Sequence, residues 1–391
     1  MSGKTLPALP IMQLLPLQPD LIAQTLSAWR TSYPTMGVMA LLPEAEKAQL
    51  PMLQACCREQ GISLVGAIFP ALVTTQGFQN NGVWLFRLDV MVPSFLLGNL
   101  TPSGSEAADQ VAEATRGLLA QQAQGAEKST LYLVFDSLIP SIASIVDGLY
   151  LRLADQVEYA GVNAGSETFQ PMPCLFDAHQ VIGDGVLGLL LPSAQATVLQ
   201  HGYQAPERVM TATATQGNRV LSIDWQPAFD AYQAIIKAEY GIALTRDNFY
   251  QYAVHFPFGI LRASDDVVVR IPVALTDDGS LFCVGEVPEN AILVLLRAPA
   301  ADNGDCLTLL SDNLKALNGP MTGRNLLTFY CAGRRMHMGD DAATELTALQ
   351  ERSGIATLGG ALSLGEIGST SSWGYPMFHN AALVCTPWPK E

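Results

Sequence analysis

Apolar residues recur along this chain in short runs separated by helical stripes, and three stretches repeat one order. The first opens with the run Val38 to Leu42. A helical stretch follows, ending at Gln60 with Gly61 as its stop. Ile62 to Val65, the tight segment Gly66-Ala67-Ile68-Phe69-Pro70 and a strand around Val83 to Leu88 complete it. The second begins with Leu131 to Phe135. Its helix carries Ile142, Ile145, Val146, Leu149 and Leu153 on one face. Then come Gly161-Val162-Asn163-Ala164-Gly165-Ser166-Glu167, Cys174-Leu175-Phe176 and the run Val186 to Leu191. The third begins with Leu326 to Cys331. A helix from about Asp341 to Arg352, stopped by Gly354, leads to Gly360-Ala361-Leu362-Ser363-Leu364-Gly365-Glu366 and a last strand to Cys385.

Glu167 lies six residues after Gly161, and Glu366 lies six after Gly360. The second and third stretches therefore read as a divergent internal repeat. Strand–helix–strand units with apolar strands predict an α/β fold. Repeated units form mixed, mainly parallel sheets covered by helices. In such sheets ligands gather at the carboxyl ends of the strands. The region between the second and third units differs. Asn218 to Ile223 reads as a strand and Pro227 to Tyr240 as a helix stopped by Gly241. Val267 to Ala274, Phe282 to Val284 and Ile292 to Leu296 predict antiparallel strands, with Asp278-Gly279 as a hairpin turn. This puts an antiparallel strand region in the C-terminal half. Ser103-Gly104-Ser105-Glu106 has the form of a capping box. Leu6 to Leu17 is apolar but broken by Pro7, Pro10 and Pro16, so residues 1–30 read as a Pro-rich arm rather than a signal peptide. The loop from Gln195 to Arg208 is the candidate boundary between domains spanning 31–194 and 195–391.

Composition narrows the function. The chain has 391 residues, 49% of them hydrophobic and only 15% charged, with a formal net charge of −15. Nucleic acid and anionic membranes demand clustered Lys and Arg, and the nearest approach is the single pair Arg334-Arg335. No apolar run reaches the length of a membrane span. Seven cysteines, an odd count without Cys-x-x-Cys, fit reduced thiols and a cytoplasmic protein.

Few motifs carry chemistry. Gly183-Asp184-Gly185-Val186-Leu187-Gly188 matches G-x-G-x-x-G, yet an apolar run ending in Pro192 follows it where a phosphate cradle needs a helix. It reads as a turn between strands. Histidines at 179, 201, 255, 337 and 379 show no zinc-ligand spacing. A single imidazole still suffices to hold a haem iron. Met336-His337-Met338 follows a strand and precedes a helix, where loops gather, and soft methionine with imidazole suits haem or copper. On local evidence alone, a helix start with two core methionines is the favoured account of the triplet. His201 lies on the boundary loop. His255 sits in Val254-His255-Phe256-Pro257-Phe258, whose apolar surroundings disfavour the charged ring. Cys331-Ala332-Gly333-Arg334 ends a strand, where a cation would lower the thiol pKa. Arg334 is expected to hold a carboxylate, either that of Glu366 or a ligand's. His379 and Asn380 open the last strand.

Gly360 to Ile367 followed by Phe378-His379-Asn380, with Cys331-Ala332-Gly333-Arg334 upstream and the turn Gly161 to Ser166, resembles the FIST sensory family, N-terminal and C-terminal halves together. No kinase, cyclase or methyl-accepting segment is read in the chain. Gly66 to Pro70 and Gly161 to Asp177 resemble the stand-alone NosP branch of that family. The resemblance implies a ligand pocket at Cys331, Arg334, Glu366, His379 and Asn380. The branch implies haem b as cofactor and nitric oxide as signal, and a separate histidine kinase or cyclic-di-GMP enzyme as partner. It leaves a homo-oligomer open. His337 ranks first as the metal ligand, then His201 and His255, with Met336 and Met338 beside the haem. A haem-free sensor of an amino-acid-like metabolite, read by Arg334 and Glu366, is the alternative. A less favoured one is an enzyme using Cys331 or Glu366 with His379.

Overall fold

The computed structural model describes residues 10–122, 128–192, 196–263, 266–299, 305–369 and 375–388. Three units share one order of elements. The first contains β1 (Met12–Leu15), α1 (Pro19–Ser32), β2 (Gly37–Pro43), α2 (Leu50–Glu59) and β3 (Ser63–Phe69). A hairpin of β4 (Leu72–Thr74) and β5 (Gly77–Gln79) and the returning strand β6 (Val83–Leu88) follow. The second contains β7 (Ser94–Leu97), α3 (Gly104–Leu119), β8 (Ser129–Asp136), α4 (Ile142–Leu153) and β9 (Val157–Ala164). Its hairpin is β10 (Leu175–Asp177) with β11 (Val181–Ile182), and its returning strand is β12 (Val186–Leu191).

The third unit opens with β13 (Val198–Gln200) and then departs into an insert. The insert runs through β14 (Val209–Gln216), β15 (Arg219–Ile223), β16 (Gln226–Pro227), α5 (Ala228–Tyr240) and α6 (Phe249–Ala253). It continues with β17 (Phe258–Leu261), β18 (Val267–Arg270), β19 (Pro272–Leu275), β20 (Leu281–Cys283) and β21 (Ile292–Leu295). All pairings in this eight-stranded sheet are antiparallel. The chain then resumes the unit with α7 (Asp305–Asn318), β22 (Asn325–Cys331), α8 (Ala332–Met338), α9 (Asp341–Ser353) and β23 (Thr357–Ser363). The hairpin β24 (Glu366–Gly368) and β25 (Met377–His379) and the strand β26 (Leu383–Trp388) end it.

Each unit pairs its first two long strands in parallel across a helix: β2 with β3, β8 with β9, β22 with β23. The returning strand lies antiparallel on the other side of the first, and the opening strand pairs with it at the edge. The hairpin after the second strand leaves its own unit. β4 joins β23, β10 joins β3, and β24 joins β9. The three six-stranded sheets are thus tied in a cycle by exchanged hairpins, which also cover the sheet edges.

Strand composition follows from burial on both faces. Along β8, Leu131, Leu133 and Phe135 face α3 and α4, while Tyr132 and Val134 join the central core. Along β22, Leu326 and Tyr330 face α7 and α9, while Leu327 and Phe329 turn inward. Phe69 and Tyr132 from the other units approach Phe329 at 5.4 and 6.3 Å between ring centroids. Each such side chain stabilises the fold by about 1.5–3 kcal/mol on burial.

Ser103 caps α3 at the position the sequence predicts and accepts from the Glu106 N–H at 3.5 Å, the first half of a capping box. Gly241 ends α5 in the left-handed region, and Gly279 does the same between β19 and β20. The G-x-G-x-x-G segment links β11 to β12, and no helix follows it. Residues 10–30, expected in a Pro-rich arm, instead hold β1 and most of α1, with Ile22, Leu26 and Trp29 buried. The prolines there punctuate rather than disrupt: Pro19 occupies the first turn of α1, where its missing N–H costs nothing. Residues 1–9 of that expectation lie outside the described ones. Among the described residues no helix is long and apolar enough to cross a membrane.

Candidate functional site

The insert folds back over the carboxyl ends of β9, β22 and β23, and a cavity of about 310 Å³ lies between them. Tyr250, Val254, Ile271, Pro272, Val273 and Val284 line it from the insert. Cys331, Ala332, Gly333, Arg335 and Met336 come from the end of β22 and from α8; Glu167, Phe169, Leu364 and Asn380 close it. The sheet-end location is the one the strand pattern predicted. The walls are largely apolar, and the charged groups are Arg335 and Glu167. Arg335 Nη2 contacts both Glu167 oxygens, at 2.8 and 3.0 Å, with both side chains about a third exposed.

Of the candidate cofactor- and ligand-binding residues read from sequence, Cys331, Asn380 and Met336 reach this cavity and the rest do not. Met338 points into the core between α7 and α9. Arg334 is fully buried and bound by neither Glu366 nor an open site. Its Nε and Nη2 donate to the Glu345 carboxylate at 2.9 and 2.7 Å, and Nη1 donates to the His201 carbonyl. Burial opposes the charge, but the hydrogen bonds to Glu345 outweigh it and hold the guanidinium protonated. Tyr330 donates its hydroxyl to the same carboxylate at 2.5 Å. The expected Arg334–Glu366 pairing is therefore replaced by Arg334–Glu345. The signal was present in sequence: Glu345 falls on the apolar stripe Ala342, Leu346 and Leu349 of α9, where an unpaired acid does not belong.

Glu366 and Glu167 start from equivalent points and diverge. Gly161 and Gly360 face the same strand position in their parallel pairs, three residues before the strand ends. After Gly360 the chain enters β24 at once, so Glu366 is buried and accepts from the Ser363 hydroxyl at 2.5 Å. After Gly161 a loop intervenes before β10, so Glu167 stays about a third exposed at the cavity. Burial pushes the Glu366 carboxyl up to about 8. The Cys331 thiol is also pushed up by burial, opposite to the lowering expected from a nearby cation. It accepts from the Ala381 N–H at 3.1 Å, as a structural strand-end group does.

A raised carboxyl favours the folded state at low pH. Glu366 contributes stability in full below 4.5, its ordinary value, and loses it as pH rises through about 8. We expect the unfolding free energy of wild type minus that of Glu366→Gln to fall by a few kcal/mol (~3) across that window. Denaturant titrations at several pH values test this, and a flat difference would show that Glu366 is ionised in the fold. His201 acts oppositely: burial lowers it to about 4, so its contribution is present above 6.5 and lost as pH falls.

Four of the five histidines collect behind the cavity wall. His255 Nδ1 and His337 Nδ1 are 2.7 Å apart, and His337 Nε2 lies 3.3 Å from the Pro299 carbonyl. That carbonyl only accepts, so His337 carries its proton on Nε2 and His255 donates from Nδ1. The lone pair left over is on His255 Nε2. Burial lowers the pKa of both rings, which keeps them neutral. His201 accepts from the Tyr203 N–H at 3.0 Å through Nδ1 and also hydrogen-bonds the Val267 backbone. His379 is fully buried, stacked on His201 with centroids 6.1 Å apart, and burial drives its pKa well down. Among the described residues no three His, Cys, Asp or Glu side chains form a metal-holding group.

The profile of the FIST N domain matches residues 40–226 and that of the FIST C domain matches residues 228–369. The chain belongs to the FIST family, whose domains serve as sensory modules in signalling. The two matches meet inside the insert, at the start of α5. No curated protein matches the chain.

Proposed function

We propose that this protein senses a small amphiphilic molecule bound in the 310 Å³ cavity. A cytoplasmic partner, a histidine kinase or a cyclic-di-GMP enzyme, reads the occupied state. The observation that carries the reading is the Arg335–Glu167 pair set against an otherwise apolar wall. A zwitterion with an apolar side chain, such as a hydrophobic amino acid, replaces each ion's partner. Its carboxylate takes the Arg335 fork and its ammonium takes Glu167. This moves the metabolite-reading role from Arg334 and Glu366 to their half-exposed counterparts. The pair joins the loop after β9 to α8, so its opening changes the relation of two units. A ligand shifts that equilibrium only by its differential affinity for the two arrangements. Calorimetric titration of haem-free protein with leucine, methionine and phenylalanine tests the reading. Arg335→Gln is expected to weaken binding about tenfold or more. Absence of heat for all three, or equal affinity in the variant, sinks it.

Haem b with nitric oxide as its signal is the second reading, favoured by the His255–His337 pair. Haem would supply an iron centre able to bind nitric oxide. His255 fits as the iron ligand, since His337 accepts its Nδ1–H and orients the ring, as a carboxylate, carbonyl or water does for other ligating imidazoles. His337 fits less well than its loop position suggested, because both of its nitrogens are in use. Absorption spectra of protein produced with ample haem, with and without nitric oxide, separate the readings. His255→Ala is expected to abolish haem retention and His337→Ala to weaken it; a colourless wild type eliminates haem.

A further inference from the structure

A second cavity of about 520 Å³ adjoins the first and shares Glu167, Phe169, Tyr250, Val273 and Val284 with it. Its own walls run from the start of α4 to β20 and Phe378. Four aromatic rings line it: Phe169, Tyr250, Phe282 and Phe378. Its polar features are unusual. Asn163, only 1% exposed, lies at the end of β9, and its Oδ1 is buried without a hydrogen-bond partner. Asn218, in the turn between β14 and β15, also lines the cavity, and its Oδ1 is likewise buried without a hydrogen-bond partner. A buried acceptor left unsatisfied costs about 1–3 kcal/mol, so two around one cavity call for donors. Charge is already balanced here. Glu167 is held by Arg335. Nearby Glu286 accepts from the Ala143 and Ser144 N–H groups at the α4 N-terminus, at 2.8 and 3.2 Å.

We infer that this cavity is a second ligand site, for an uncharged aromatic compound bearing a ring N–H. Aromatic faces take the ring by stacking or edge contact. The N–H donates to Asn163 Oδ1. The absence of a free counter-charge selects against ions, because an unpaired charge in a largely buried site is costly. The size lies within the range of small-molecule pockets. The second site stands whatever ligand the neighbouring cavity takes, and the shared Phe169, Tyr250, Val273 and Val284 predict that the two ligands influence one another.

Indole and 1-methylindole are the probes, titrated calorimetrically into the full chain. Indole is expected to bind about tenfold more tightly, since methylation removes the one donor. Asn163→Leu, close in size, is expected to bring indole down to the level of 1-methylindole and to leave the latter unchanged. Should that variant fold poorly, Phe282→Ala on the exposed side of the cavity is expected to weaken both probes. Met336→Ala, in the wall of the first cavity and not of the second, is expected to leave both unchanged, which separates this site from the zwitterion site. Equal affinity for the two probes in wild type would show that water satisfies Asn163, and would overturn the inference. So would an absence of indole binding up to its solubility, or indole binding that is lost in Met336→Ala.

Discussion

Replacing Arg334 by leucine lowers the stability of this protein by about 3–5 kcal/mol, the cost of leaving a buried partner charge uncompensated. The magnitude follows from where the charge is left. The Glu345 side chain is only 8% exposed, and it loses two guanidinium donors at once. The loss extends further, because Arg334 also ties the His201 carbonyl to α8 and so joins β13 to the end of β22. Urea denaturation of Arg334→Leu, Glu345→Leu and the double variant measures it. The double variant should recover much of the loss, since no charge is then stranded, leaving mainly the unpaired Tyr330 hydroxyl. A single variant within 1 kcal/mol of wild type (about the value of an exposed pair) would mean that Glu345 is solvated.

Gly360→Ala is the second large effect, expected to cost about 3 kcal/mol or more, at or beyond the upper range of overpacking. A Cβ at this position would lie 1.7 Å from the Thr328 carbonyl oxygen, a backbone atom held in the parallel ladder. Relief requires β22 and β23 to separate. The same geometry recurs twice. Gly66 would meet the Ala40 oxygen at 2.1 Å and Gly161 the Leu133 oxygen at 2.3 Å. Each of these glycines lies three residues before the end of its strand, paired with the residue it would strike. Gly117→Ala is the control. It lies in α3 with nothing within 4 Å of its Cβ, so the variant should gain about 0.5–1 kcal/mol. Thermal unfolding of all four alanine variants gives the comparison. Losses in three and a gain in the fourth are the expected pattern, and a tolerated Gly360→Ala would show that the parallel pair is not tightly held.

Those glycines show what was legible in the chain. The three apolar strand pairs, their crossover helices and the glycine-bearing turns stand in the sequence because each obeys a local rule. A strand buried on both faces reads as a continuous apolar run, a helix on a sheet reads as a stripe, and Gly241 and Gly354 mark helix ends. The repeat was readable for the same reason, down to the matching offsets of Glu167 and Glu366 from their glycines. The antiparallel insert announced itself through short strands and the Asp278-Gly279 turn.

Three decisions belonged to the tertiary structure alone. One is the exchange of β4, β10 and β24 between units, since pairing partners far apart in sequence leave no periodic trace. A second is the fate of neighbouring charges. Arg334 and Arg335 are adjacent, yet a helix turns successive side chains by about 100°. One is therefore buried against Glu345 and the other faces the cavity and Glu167. The third is histidine chemistry. Residue type and loop position favoured His337, but which imidazole nitrogen keeps a lone pair depends on hydrogen bonds to a distant histidine and to the Pro299 carbonyl. The sequence by itself determined which segments are strands and helices and which of their faces are apolar, because those properties reside in spacings of two to four residues. Only the folded chain decided which polar groups meet, because burial makes a charge or lone pair depend on partners that sequence distance does not reveal.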